Sequence, residues 1–168
     1  MNAATLISMD EYLETSYSPD CEYIDGVVVE RHVGERPHSL IQFKVLFILG
    51  RDYPHVFVWP EQRVQTVPGQ RWRLPDVCVT LADPRTDVFD TPPFICIEIL
   101  SKRDEMTIVL EKLAEYEPFG VPNIWLIDPR RRKAYTFSSG RLEEVQGNAF
   151  ATTEPVVQLP LEEIFLGL

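Results

Sequence analysis

The chain is poor in cysteine, and its three (Cys21, Cys78 and Cys96) form no C-x-x-C pair. That excludes a disulfide scaffold and the usual zinc-finger spacing. Cys78 and Cys96 stand in apolar, strand-like runs, so all three read as small reduced core residues of a cytoplasmic protein. Positive charge is also short: 16 Lys and Arg face 26 Asp and Glu, a net charge of -10. This argues against a protein that coats nucleic acid through a broad basic surface. It leaves room for an enzyme with only a local basic rim. No apolar run approaches the roughly 20 residues that span a bilayer. The segment Met1–Met9 lacks both a basic start and a long apolar stretch, so no signal peptide is expected there. Internal repeats, low-complexity tracts and linkers are missing as well. What remains is ordinary for a soluble globular protein, with 45% apolar and 25% charged residues. The length suits one domain over residues 1–168 with a substantial core.

The pattern mixes strands with helices. Ser8-Met9-Asp10-Glu11 is a capping box that opens a short helix to about Thr15. Glu22-Tyr23-Ile24 and Val27-Val28-Val29 flank Asp25-Gly26 and form a hairpin. Helical spacing runs from His38 to about Arg51 and from about Asp104 to Glu117, where Gly120-Val121-Pro122 ends it. Strands are expected at His55–Trp59, Arg63–Val67, Leu74–Thr80, Phe94–Leu100, Asn123–Ile127, Lys133–Phe137 and Arg141–Val145. Leu161–Leu166 forms a last helical turn. The expected class is α/β of the mixed α+β kind, a mixed sheet flanked by helices.

Glu98 is the most informative residue. It lies in Phe94–Leu100, a run apolar on both faces, as in a central strand. A carboxylate there is costly to bury unless paired, protonated or bound to a metal. A Glu at an exposed strand end, or one paired with a structural Arg, is the alternative. Asp76 follows Pro75 at the entry to another strand-like run. Two acids on neighbouring strands can converge on a hard divalent cation, although a capped strand end would read the same way. Lys112 falls about 100° from Leu113, just outside the apolar stripe of its helix. It can send an ammonium to the end of the sheet, or snorkel as a surface lysine. Because it lies outside the stripe, its loss is expected to change stability little even if it serves the site. Glu22, beside the hairpin turn, is either a further acidic contributor or an exposed strand charge. His38 reads foremost as a helix-start hydrogen bonder.

The order of these residues resembles the Uma family of restriction-endonuclease-like proteins, within the PD-(D/E)XK nuclease superfamily. The matching stretches are Glu22-Tyr-Ile-Asp-Gly26, His38-Ser-Leu-Ile41, Leu74-Pro-Asp-Val77, Ile97-Glu-Ile-Leu-Ser101, Glu111-Lys-Leu-Ala-Glu-Tyr116 and Phe119 to Pro129. The resemblance implies a restriction-endonuclease-like fold and a metal-dependent phosphodiesterase site. Asp76 matches the acid of the PD motif and Glu98 that of the (D/E)XK motif, and together they would hold Mg²⁺ or Mn²⁺. The lysine expected two residues after the acid is replaced by Leu100. Lys112 on the following helix takes the matching place, with Lys102 and Arg103 as rivals. DNA is the implied substrate, and a homodimer is the arrangement that would cut both strands. An interaction protein that keeps the fold without catalysis is the competing expectation, consistent with the acidic charge and the displaced lysine.

Overall fold

The computed structural model describes residues 6–31 and 34–168, so residues 1–5 of the Met1–Met9 segment lie outside the described residues. Helix α1 (Met9–Glu14) is capped by the Ser8 side chain and precedes the hairpin β1 (Cys21–Ile24) and β2 (Val27–Glu30). Helix α2 (Arg36–Asp52) follows, then β3 (Phe57–Pro60), β4 (Val64–Val67), β5 (Arg71–Arg73), β6 (Val77–Thr80) and β7 (Ile95–Ile99). Helix α3 (Met106–Phe119) leads to β8 (Asn123–Asp128), β9 (Lys133–Ser138) and β10 (Arg141–Glu144). The chain closes with β11 (Ala149–Ala151), β12 (Gln158–Pro160) and α4 (Leu161–Phe165). Among the described residues no helix is long and apolar enough to cross a membrane.

The main sheet has the order β10-β9-β8-β7-β6-β3, and among the described residues its only parallel pair is β7 with β8. Helix α3 supplies the crossover that a parallel pair needs. Side-chain alternation sorts the faces of this sheet. Val77, Val79, Ile95, Ile97, Trp125 and Ile127 pack with α2, α4 and the β11–β12 ribbon. Cys78, Cys96, Ile124 and Leu126 face Leu113 and Tyr116 of α3. Both faces are therefore covered, which is why β6, β7 and β8 are apolar at almost every position. A second sheet, β2-β1-β5-β4, carries its own cluster of Tyr12, Tyr23 and Trp72. The result is the expected mixed α+β architecture, a mixed sheet flanked by helices.

Several expected boundaries differ. The strand expected over Leu74–Thr80 begins only at Val77, as β6, and Leu74-Pro75-Asp76 connects it to β5, a short strand that was not expected. Pro75 has no N–H to give a ladder, and β5 belongs to the other sheet. Helix α2 starts two residues before His38, with Pro37 in its first turn, where a missing N–H is harmless. Strands β11 and β12 were not anticipated, since three residues offer too little alternation to read.

The hairpin behaves as its turn demands. Asp25 and Gly26 both have positive φ, 50° and 90°, the geometry of a two-residue hairpin loop with right-handed strand twist. A Cβ at Gly26 would stand 3.2 Å from Leu6 Cδ2. Gly26→Ala is therefore expected to cost about 1 kcal/mol. A melting midpoint lowered by roughly 2–4 °C would report it, and an unchanged midpoint would contradict this account of the turn.

Candidate functional site

Three elements converge where β7 ends. Glu98 shares the face of Cys96, so the pleat points it at α3, away from the Ile95, Ile97 and Ile99 side. Helix α3 answers with Lys112 and Tyr116, four residues apart and therefore on one helical face. Lys112 Nζ lies 2.9 Å from Glu98 Oε2, and the Tyr116 hydroxyl donates to Glu98 Oε1 at 2.6 Å. From the second sheet, Glu22 of β1 meets the same ammonium at 2.7 Å and also accepts from the Leu74 amide at 3.1 Å. The third Lys112 donation goes to the Leu74 carbonyl at 2.9 Å.

Asp76 sits on the connection between β5 and β6, only 3% exposed. Its Oδ2 accepts the Ile99 amide at 2.7 Å, which anchors it to the end of β7. Its Oδ1 receives the Arg31 guanidinium and the His38 Nε2, the latter at 3.3 Å. The other imidazole nitrogen, His38 Nδ1, is buried without a hydrogen-bond partner among the described residues. Behind this group, Arg73 donates to Glu22 Oε2 at 2.8 Å and to Glu115 Oε1 at 2.6 Å. Glu22, Arg31, His38, Asp76, Glu98 and Lys112 all line one cleft of about 170 Å³.

The carboxylates differ in character. Burial pushes the Glu98 carboxyl up, to about 7, with the Asp76 and Glu22 charges adding to the effect and Lys112 opposing it. Burial acts on Asp76 in the same direction, but the hydrogen bond from His38 and the Arg31 charge outweigh it, and its pKa falls below the ordinary value. Glu22 is likewise buried, yet Lys112 and Arg73 bring it down to about 2. Burial works against the Lys112 ammonium, and the facing charges of Glu22 and Glu98 more than compensate, leaving its pKa raised.

The family described as "Uma2: Putative restriction endonuclease" matches residues 9–167. The chain belongs to this family. Among solved structures, a putative nuclease belonging to DUF820 from Anabaena variabilis superposes with a TM-score of 0.77. It is 21% identical, over 95% of this chain and 97% of that one, a likeness that speaks for the fold. No curated protein matches the chain.

Of the residues that sequence reasoning singled out in this Uma2-family chain, Asp76, Glu98, Lys112 and Glu22 all reach the cleft. Glu22 is a buried ion-pair partner, 6% exposed, and not an exposed strand charge. Lys112 is no snorkelling surface lysine, because two buried acids depend on it. His38 contributes through its side chain to Asp76 and not as a helix cap. Lys102 and Arg103 are exposed, and Lys112 is the lysine that bonds the carboxylates. Arg31, Arg73 and Tyr116 were missed. Tyr116 was legible as the residue one turn beyond Lys112, whereas nothing near Arg31 in the sequence distinguishes it from a surface arginine.

Among the described residues, no group of three or more His, Cys, Asp and Glu side chains forms a metal cage. The donor chemistry still suits a hard divalent cation. Mg²⁺ commonly uses one or two carboxylates and keeps several waters and substrate oxygens. Asp76 and Glu98 would supply the carboxylates.

The Glu22 cluster generates a pH prediction. Glu22 is a stronger acid folded than unfolded, so its ionisation stabilises the fold above about pH 4.5, and that contribution fades as the pH falls toward about 2. The effect is on the order of 3 kcal/mol. Glu22→Gln should lower urea midpoints at neutral pH and give a shallower decline between those two pH values. Two parallel curves for wild type and variant would sink the assignment.

Proposed function

We propose that this protein is a metal-dependent nuclease that hydrolyses phosphodiester bonds in DNA at the cleft formed by Asp76, Glu98 and Lys112. The observation that carries the reading is the position of Lys112. Leu100 stands where the motif lysine would be, and the ammonium of Lys112 lies 2.9 Å from the motif acid all the same. The displaced lysine is thus available to the site from a different element. Family membership supports the same reading.

Asp76 and Glu98 would hold Mg²⁺ or Mn²⁺. Such an ion supplies Lewis acidity toward the scissile phosphate and makes a water more acidic. The chain's own groups have separate tasks. The Ile99 amide and the Tyr116 hydroxyl fix the orientations of Asp76 and Glu98. Lys112 keeps its proton, because Glu22 and Glu98 face it, so it acts as a donor and not as a base. It would orient the attacking water or stabilise charge that develops on the phosphate. Glu22 and the Leu74 carbonyl hold that ammonium in place.

A second reading draws on a specific observation. The carboxylates already have internal partners in Arg31, His38 and Lys112, and the chain is acidic overall, as suits a fold retained for interaction without catalysis.

Incubation with Mn²⁺ and supercoiled, linear or single-stranded DNA separates the two. Cleavage is expected in the wild type and should be lost in Asp76→Asn and Glu98→Gln. Lys112→Ala should reduce the rate by about 10²–10³. It should also destabilise the fold, by on the order of 3–5 kcal/mol, since it leaves two buried acids without their shared partner. Thermal melting adds an independent check: millimolar Mn²⁺ should raise the midpoint of the wild type and not of Asp76→Asn. Absence of both cleavage and an Asp76-dependent shift would leave the interaction reading in possession.

A further inference from the structure

Six of the chain's 16 Lys and Arg residues are Lys102, Arg103, Arg130, Arg131, Arg132 and Lys133. Sheet topology brings all six to one edge. Strands β6 and β7 are antiparallel, β7 and β8 parallel, and β8 and β9 antiparallel. The entry to β6, the exits of β7 and β8 and the entry to β9 therefore lie at the same end of the sheet. Asp76 and Glu98 occupy the first two of these ends. Lys102 and Arg103 follow the β7 exit, and Arg130 to Lys133 form the β8–β9 turn. The long connection from β6 to β7 leaves the opposite end and carries Asp83, Asp87 and Asp90 with a single Arg85.

All six basic residues are exposed. Of the acids beside them, Glu105 and Glu144 are exposed, whereas Asp128 and Asp104 accept backbone amides. Asp128 is 4% exposed, and its Oδ1 accepts the amides of Arg130 and Arg131 at 3.0 and 3.1 Å. Asp104 accepts the Ser101 amide at 2.7 Å. Some of the positive charge is partnered: Arg131 pairs with Asp128 while its side chain stays 75% exposed, and Lys133 pairs with Glu144. Lys102 and Arg130 have no ion pair among the described residues. A cleft of about 580 Å³, lined by Lys102, Arg130, Arg131 and Tyr135, shares Leu100, Ser101 and Asp104 with the candidate active cleft.

We infer that this basic edge is the docking surface for the nucleic-acid backbone beside the bond to be cut. The inference rests on the nuclease reading for the choice of ligand. Its physical content is charge placement. In a chain of net charge -10, a polyanion is repelled by most of the surface. At physiological salt the screening length is about 8 Å, so a local cluster decides where a phosphate strand can settle. This cluster adjoins the cleft and extends along one side of it. Arginine forks suit phosphate oxygens, and Lys102 adds a point charge at the mouth.

The test is fluorescence anisotropy with a short labelled DNA duplex in EDTA, over about 50–200 mM salt. The double variant Lys102→Ala/Arg130→Ala breaks no ion pair among the described residues. It should weaken binding and lower the slope of log affinity against log salt by about 1.8, at about 0.9 per phosphate contact. Arg85→Ala, on the loop from the other end, should bind as the wild type does. Lys133→Ala, at the far end of the β8–β9 turn, should give a smaller loss than the double variant. An unchanged slope in the double variant, an equal loss in Arg85→Ala, or no duplex binding by the wild type at low salt would each overturn the inference. So would equally tight binding of a polyglutamate peptide, which would assign the edge to acidic protein segments. Mn²⁺ cleavage with an unchanged slope would leave the nuclease reading standing without this surface. A lowered slope without cleavage would leave the surface standing without the nuclease.

Discussion

The ammonium of Lys112 is the contact on which the rest of the arrangement depends. It joins α3 to Glu22 of one sheet and Glu98 of the other, and it reaches the backbone carbonyl of Leu74 between them. Glu22 and Glu98 are buried acids that repel one another, and one shared cation makes their proximity tolerable. Breaking a buried pair from one side usually costs several kcal/mol, because the remaining charge is left without a partner. The same geometry that would serve a phosphate therefore also sets how the two sheets meet around α3. Lys112 cannot be assigned to catalysis or to stability alone.

Around that contact, burial and pairing act on chemically similar groups with different results. Asp76 and Glu22 are held below their ordinary pKa values by cations in direct contact. Glu98 rises to about 7, since desolvation and two neighbouring negative charges exceed the help from Lys112. An acid so placed favours any partner that neutralises it. Arg31 plays a corresponding part for Asp76, from the end of β2 and near the mouth of the cleft, with Glu61 as its other partner at 3.5 Å. Arg73 lies deeper, between Glu22 and Glu115, and belongs to the scaffold.

The sequence and the structure parted at specific points, for physical reasons. Leu74-Pro75-Asp76 read as the start of a strand because the apolar run Val77-Cys78-Val79 follows directly. Pro75 and the change of sheet after β5 delay that strand to Val77. The expectation that Lys112 could be lost cheaply followed from its angle on the helix, which says where a side chain starts and not what it meets. Glu22 looked exposed because hairpin strands near a turn commonly are. The second sheet, by pairing β1 with β5, covers it with Arg73 and Leu74.

By itself the sequence determined the longer helices and strands, the two-sided burial of the central strands, the hairpin turn and the presence of acids at costly positions. Each is a local matter, decided by period, turn chemistry or the price of a charge in an apolar run. The sequence order also sufficed to place the chain near its family. Only the tertiary structure decided which cation or hydrogen-bond donor meets which acid. It took Arg31 to Asp76, Arg73 to Glu22 and Tyr116 to Glu98, and it gathered six basic residues at the site end of the sheet. Those pairings link residues from 18 to 51 positions apart. Their energies depend on distance and burial in the folded chain, quantities that spacing along a sequence does not contain.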